Sequence, residues 1–360
     1  MGLNDKKIAV LCNYELLPER VGGMDQFFWR FDAQCKENGV KVDWFFPNRG
    51  SHQGYAALTI YPNTAGSIEA SFLRHCKGNP KEYSHIVTHF LELCTPFYKQ
   101  IKQLTAAKVI AVDHNSRPLH GYPLQKKLRK RLKGFLFSRY IDVFVGVSKY
   151  TVREILKDFG SHLKLKTLVV YNGVLLGNIT VRNERSSSNP TFLVASYLVE
   201  TKGIQDLIEA VALLPEPIKS HISIAVYGDG PYKNRLLDSI EKHSLQHIFT
   251  FKGSLPNLNG VYGQYDYLLQ PTHMECFSLS ILESLAANVP VVTTNVGGNE
   301  EVVASGKNGY IYRAQDINAL SKIIADLSKG SIAITENTRS LIENTFSIEH
   351  MVGNHFKLLS

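Results

Sequence analysis

The sequence predicts an α/β protein made of two doubly wound parallel-sheet domains. Three features carry that expectation. Short apolar runs of strand length alternate with stretches of helical periodicity along the chain, which is the rhythm of βαβ units. The rhythm breaks once, at Asn178 to Pro190 (NITVRNERSSSNP), which is polar, serine-rich and without apolar periodicity. A length of 360 residues suits two domains of about 100–200 residues each. The expected division is 1–178, a linker at 179–190, a second domain at 191–344 and a terminal helix at 345–360.

Lys7 to Cys12 opens the first half as a strand. Gly22-Gly23 follows, then a helix over Met24–Asn38 and a strand over Val40–Phe46. Further strands are expected at His85–Thr88, Lys108–Val112, Asp142–Val147 and Thr167–Val170. Ligands of such sheets gather at the C-terminal strand ends. Gly22 and Gly23 read either as an ordinary turn or as a loop that brings backbone N–H groups to a phosphate. They do not form a GxGxxG fingerprint, which argues against a dehydrogenase. His89 and His114 each follow a strand. A neutral imidazole there can hydrogen-bond a ligand hydroxyl. Asp113, beside His114, is an equal candidate.

Gln125 to Arg139 (QKKLRKRLKGFLFSR) holds seven basic residues, with Leu128, Leu132, Phe135 and Leu136 at helical spacing. It reads either as a sheet-packing helix with a solvated lysine face or as a contact for an anionic membrane. In the second reading Lys126, Lys127, Arg129, Lys130, Arg131 and Lys133 make the contact. The charge distribution is uneven: residues 1–180 carry net +12 and the remainder net −4. No RNP, KH or zinc-finger pattern accompanies the basic helix, so nucleic acid is not an expected partner. Cysteines 12, 35, 76, 94 and 276 lack CxxC spacing, which predicts a reducing compartment with neither disulfides nor a zinc site. No apolar run reaches membrane-span length and no secretory signal is expected.

The second half repeats the rhythm. Strands are expected at Thr191–Ala195, Ser223–Tyr227, Phe249–Phe251, Tyr267–Gln270, Val291–Thr294 and Gly309–Tyr312, with helices near 203–213, 232–243, 278–287 and 316–328. Its most informative stretch is Gln270 to Gly298. Glu275 and Glu283 lie eight positions apart, and a helix opens between them near Ser278. A helix start offers unpaired N–H groups and the positive end of the dipole, a setting for phosphate. A carboxylate has two acceptor oxygens for vicinal hydroxyls. The arrangement suits a ligand with phosphate in the middle and hydroxyl-bearing groups on both sides, such as a nucleotide sugar.

The run Glu275-Cys276-Phe277-Ser278-Leu279-Ser280-Ile281-Leu282-Glu283 resembles the signature of the family-4 retaining glycosyltransferases of the GT-B fold, with Ser278 where that family has glycine. Ala287 to Val292, Gly297 to Val303, Val145 to Ser148 and Val169 to Val174 are similar to further landmarks of the family, although Leu175 stands where an aspartate is common. Ser196 to Gly203 resembles its basic loop: Lys202 is kept, and Tyr197 replaces the arginine. Tyr227 to Pro231 matches a glycine turn.

The resemblance implies two facing Rossmann-like domains with the active site in the cleft between them. It also implies a terminal helix, Phe346 to Leu359, that returns to the first domain. In that reading Glu283 holds the ribose. The amides of Ser278 and Leu279, with Lys202 and Gly23, hold the diphosphate. Glu275, the Phe277 backbone and His114 position the sugar, and Gly22, Tyr197, Gly228 and Leu255 line the donor site. The implied reaction is retaining and metal-independent, in keeping with the absence of an Asp-x-Asp motif. No cofactor is expected beyond the donor substrate, a UDP-sugar ranked ahead of a GDP-sugar. The acceptor is a saccharide or lipid-linked glycan of surface polysaccharide biosynthesis. The expected location is cytoplasmic, peripheral on the inner face of the membrane. Because Tyr197 lacks the arginine's charge, a scaffold that binds a nucleotide sugar or a partner without turnover is the alternative.

Overall fold

The computed structural model describes residues 6–17, 21–63, 66–78, 83–184 and 189–360. The chain divides into two units, one of Met1–Asn172 with Ile348–Ser360 and one of Gly173–Ser347.

Unit 1 is built on seven parallel strands: β1 (Lys7–Cys12), β2 (Lys41–Phe46), β3 (Thr59–Pro62), β4 (His85–His89), β5 (Lys108–Asp113), β6 (Val143–Gly146) and β7 (Thr167–Val169). Their order is β3-β2-β1-β4-β5-β6-β7. The central strands are buried along almost their whole length, so they read in sequence as unbroken apolar runs. The edge strand β3 alternates between exposed and half-buried residues and has no such signature. Helices α1 (Gly23–Glu37), α2 (Ile68–Gly78), α3 (Pro96–Leu104), α4 (Leu124–Phe137) and α5 (Lys149–Phe159) complete this part of the unit. Phe72, Ile86, Val109, Phe144 and Ile155 belong to its core.

Helix α4 does not pack as a sheet-covering helix would. Its apolar stripe points outward: Leu124, Leu128, Leu132, Phe135 and Leu136 are all exposed, Phe135 by 78%. The side that meets the protein carries Lys130, Lys133 and Gly134. Lys130 pairs with Asp158 at 2.8 Å and Lys133 pairs with Glu92. Gly134 lies over the Phe159 carbonyl so closely that a Cβ would stand 2.0 Å from its oxygen. Lys130 and Lys133 therefore turn inward, which corrects their expected place on a membrane-facing surface. Carboxylates far away in sequence decided that orientation.

Unit 2 has six parallel strands in the order β10-β9-β8-β11-β12-β13: β8 (Thr191–Ala195), β9 (Ser223–Tyr227), β10 (Phe249–Gly253), β11 (Tyr267–Gln270), β12 (Val291–Thr294) and β13 (Gly309–Tyr312). Its helices are α6 (Ile204–Ala212), α7 (Glu216–Lys219), α8 (Lys233–Lys242), α9 (Leu279–Ala286), α10 (Ile317–Ser328) and α11 (Arg339–Thr345). Phe192, Leu207, Val226, Leu269 and Ile324 sit in its core.

The division falls after Asn172, earlier than the expected 178, and part of the expected linker is docked on unit 2. Thr180 and Arg182 donate backbone N–H groups to Asn259 and Ala287 at 2.9 and 2.8 Å. The Arg182 guanidinium pairs with Asp266, whose buried carboxylate at the start of β11 requires a partner. The serine-rich residues 185–188 lie outside the described residues. The last helix, α12 (Ile348–Lys357), packs against α1 in unit 1.

Candidate functional site

In unit 2 the loops that follow β8, β9, β11 and β12 lie at the C-terminal strand ends, and the strand order reverses between β8 and β11. Ligands of open parallel sheets bind at such switch points. The centre of this region is the start of α9. Ser278 is its N-cap: the hydroxyl accepts from the Ile281 N–H and also receives the Gln270 side-chain amide at 2.6 Å. Serine is among the best N-cap residues, which gives a physical reason for its presence here. The amides of Ser278 and Leu279 have no acceptor among the described residues, so the helix start offers donors and a positive dipole end.

Glu283 lies on the second turn of α9. One of its carboxylate oxygens accepts from the Tyr262 hydroxyl at 2.8 Å. Burial pushes its carboxyl up to about 7, and the Tyr262 hydrogen bond opposes that rise. Its second oxygen remains for a ligand hydroxyl. Tyr262 is fully buried and has no sequence signal. Its link to Glu283 depends on a turn of 3-10 helix, Tyr262–Gln264, packing beneath α9.

Glu275 precedes α9 and forms an ion pair with Lys202 at 2.9 Å. The two residues are 73 positions apart and are brought together by contacts between their loops. His273 donates its N–H to the Thr201 carbonyl at 2.8 Å. Gly203 has φ +70, and a Cβ there would stand 1.9 Å from the Pro271 carbonyl oxygen. On the other side Gly297, with φ +64, lies against the Glu275 carbonyl, where a Cβ would come within 2.3 Å. Backbone on both sides thus fixes Glu275. The His273 ring meets Asp206 on α6 at 2.6 Å and braces the same loop.

The other donor-site candidates are less enclosed. Tyr197 is 60% exposed on the loop after β8, and its neighbours are pinned: Ser196 N–H to Tyr227 at 3.0 Å and Leu198 N–H to Asp229 at 2.9 Å. Gly228 bonds the Gly253 carbonyl at 2.8 Å, and Leu255 is an exposed loop residue. Phe277 is buried, with its ring 5.5 Å from that of Phe346, so only its backbone can serve a ligand.

Unit 1 groups its candidates at the same end of its own sheet. His89 Nδ1 and His114 Nε2 lie 3.0 Å apart, and His114 stacks on Phe90 at 4.2 Å. Burial lowers His114 to about 3, with His355 of α12 adding to the effect, and burial likewise lowers His89 and His355. Burial thus favours the neutral form of all three rings, and the contact between His89 and His114 is then an N–H···N bond with one imidazole donating. Asp113 is engaged elsewhere, accepting from the Asn115 N–H at 2.9 Å and pairing with Arg117 at 2.7 Å. Of the two adjacent candidates, His114 is the one whose ring lies over the Phe90 platform.

Gly22 differs from expectation. It is the N-cap of α1, and its N–H donates to the Asp25 carboxylate at 2.8 Å, a buried group also bonded by Tyr14 and Tyr55. A carboxylate already occupies that helix start.

Two carboxylates, one ion-paired with a lysine and one bonded to a tyrosine, flank a helix start with unpaired amides. Sequence comparison names the stretch that contains them. Residues 178–347 match the family model described as glycosyl transferases group 1. This group 1 match spans nearly all of unit 2 and includes Lys202, Glu275 and Glu283. An uncharacterized glycosyltransferase of Methanocaldococcus jannaschii is 28% identical over 205 residues, 56% of this chain and 54% of that protein. A glycogen synthase of Mycobacterium tuberculosis is 29% identical over 207 residues, 56% of this chain and 49% of that protein. The alignments thus cover about half the length of these curated relatives. Among solved structures, Anabaena HepE in complex with UDP-glucose superposes with a TM-score of 0.78 at 17% identity, over 98% of this chain and 99% of that one. The likeness shows the fold: two Rossmann-like parallel-sheet domains of the GT-B type.

Proposed function

We propose that the chain transfers a hexose from a nucleotide sugar to a saccharide or lipid-linked acceptor, with retained configuration and without a metal ion. The observation that carries this reading is the α9 start. Its unpaired Ser278 and Leu279 amides lie between Glu275 and Glu283, within the stretch that matches the glycosyl transferases group 1 model. Glu283 holds the ribose hydroxyls. The α9 amides and Lys202 hold the diphosphate and stabilise the charge that develops as it departs. Glu275 positions the sugar and offsets positive charge as the bond from the sugar to the diphosphate opens. The leaving phosphate takes the acceptor's proton, so no enzymic nucleophile is assigned. UDP is the preferred nucleotide, supported by the complex of HepE with UDP-glucose.

A thermal-shift screen with UDP-, GDP-, ADP- and CMP-sugars tests the donor. A UDP-sugar should stabilise the protein most, and Glu283→Ala should remove the effect. No stabilisation by any of the four would sink the reading. Tyr197 favours a second reading, because an exposed tyrosine stands where the resembling family has a cation. Donor binding without hydrolysis or transfer would make the chain a binding scaffold.

The raised Glu283 carboxyl gives a pH prediction. Near 7 the free protein is split between two forms, and only the ionised carboxylate offers its second oxygen, free of a proton, as an acceptor for ribose. Apparent donor affinity should fall about tenfold from pH 8 to pH 6, since each proton bound competes with ligand. Glu283→Gln should bind more weakly and lose that dependence. Tyr262→Phe removes the bond that opposes the rise, so its inflection should move to higher pH. A flat wild-type profile would remove the ribose role.

Membrane contact belongs to the same proposal. No helix among the described residues is long and apolar enough to cross a membrane. The exposed Leu124, Leu128 and Phe135 stripe of α4 is flanked by Lys127 and Arg131 and suits an anionic surface. At roughly 1 kcal/mol per basic residue, Lys127→Gln with Arg131→Gln should weaken vesicle binding by about tenfold or more. Leu128→Gln with Phe135→Gln should act similarly. Sedimentation with phosphatidylglycerol vesicles measures both pairs, and unchanged binding in both would remove the membrane contact.

A further inference from the structure

Two adjoining hollows in unit 1 are lined by side chains to which no donor contact is assigned. The first, about 500 Å³, opens at the C-terminal ends of β1, β4 and β5 and is lined by Phe90, Tyr122 and Phe159 with Asp113 and Arg117. The second, about 520 Å³, is lined by Glu92, Gln125, Lys126, Arg129, Lys130 and Lys133. Glu92, Lys126 and Lys130 border both hollows.

The first hollow has an aromatic platform held under strain. Phe90 has φ +59, a left-handed backbone that is costly for a bulky residue. Its ring stacks nearly flat on His114, at 4.2 Å and 19°. Such strain persists only where surrounding structure imposes it, and here the strained residue lines the cavity.

The second hollow is cationic, with four basic side chains against one carboxylate. Lys130 and Lys133 are fixed by Asp158 and Glu92. Lys126 and Arg129 meet no carboxylate among the described residues, and Lys126 Nζ lies 4.1 Å from the Tyr122 ring centroid. A solvated basic helix would point its lysines to water and bury its leucines. Helix α4 leaves its leucines exposed and turns Lys130 and Lys133 inward, while Lys126 and Arg129, themselves exposed, border the hollow.

We propose that the two hollows together bind a sugar phosphate, with its ring against Phe90 and its phosphate between Lys126 and Arg129. This rests on the glycosyltransferase reading and names the class of acceptor, a glycosyl phosphate either free or carried on a lipid. A flat apolar face suits the C–H side of a sugar, and clustered cations suit the phosphate.

Calorimetric titration of the full chain tests it, with UDP present at a concentration first shown to saturate. Absence of UDP binding would count against the donor reading alone, and the titrations below would then be run without UDP. Glucose 1-phosphate should bind about tenfold more tightly than glucose or inorganic phosphate. Lys126→Gln with Arg129→Gln should remove that advantage and leave glucose binding unchanged. Phe90→Asn, which tolerates the left-handed backbone, should weaken the sugar phosphate without lowering the melting temperature. In a parallel arm, phosphatidylcholine vesicles with or without dolichyl phosphate glucose report a lipid-borne acceptor. Dependence on Lys126 and Arg129 in either arm supports the proposal and identifies the source. Equal binding of glucose and glucose 1-phosphate, together with no effect of the charge variants in either arm, would overturn it.

Discussion

Glu275→Ala should lower kcat for sugar transfer by about 100-fold or more while changing the donor KM by less than about threefold. The asymmetry follows from where Glu275 sits. Its carboxylate is ion-paired with Lys202 at 2.9 Å and is fixed by backbone on either side, so it acts from a preset position. A preset negative charge acts most strongly when positive charge develops at the anomeric carbon, and much less on the neutral sugar of the ground state. Removing it also frees Lys202 for the diphosphate, which limits any loss of donor binding. Glu275→Gln keeps the shape and removes the charge, and it should be nearly as slow. Steady-state transfer measured over donor concentration separates the parameters. A raised KM with intact kcat would assign Glu275 to ground-state binding instead.

Glu283→Ala should give the opposite pattern, a raised donor KM with a smaller change in kcat. Glu283 lies beyond the helix start and bonds Tyr262, and in the proposed reading its work is complete once ribose is held. The two glutamates are chemically identical and eight residues apart. Their environments separate them: one faces a lysine, the other a tyrosine in a setting that raises its carboxyl to about 7.

The parallel sheets were readable because their inner strands are buried on both faces and so appear as apolar runs; β1 matches the expected Lys7–Cys12. The edge strand β3 was not readable, since half its residues face water. The orientation of α4 was out of reach for a different reason. Periodicity reveals that a helix has two faces, but contacts decide which face turns inward. Asp158 and Glu92 draw Lys130 and Lys133 toward the protein from 28 and 41 residues away. The same limit applies at the site. Spacing picked out Glu275 and Glu283, while their partners Lys202 and Tyr262 depend on loop packing. Gly22 and Gly23 form the start of α1 rather than a turn, and the sequence did not show that Asp25 would occupy the first of their amides.

The packing of those loops leads to the largest expected loss of stability. Gly203 and Gly253 in unit 2 have nearly the same backbone, φ +70 and +72. They differ in surroundings: a Cβ at Gly203 would lie 1.9 Å from the Pro271 oxygen, whereas Gly253 has nothing within 4 Å. Gly253→Ala should therefore cost only the left-handed backbone term, roughly 1 kcal/mol. Gly203→Ala adds a clash with backbone that cannot rotate away, for a total of about 2–4 kcal/mol. For a unit of this size, that should lower the unfolding midpoint by about 5–15 °C. The loop that moves aside carries Lys202, and the segment it presses on leads from Pro271 to Glu275. Separation of the ion pair should follow, so Gly203→Ala should also lose transfer activity at temperatures where it remains folded. Gly253→Ala should retain activity. Calorimetry and activity on both variants measure the two effects. Equal melting temperatures would show that the Thr201–Gly203 loop is not held against Pro271, and backbone positioning of Glu275 would have to be abandoned.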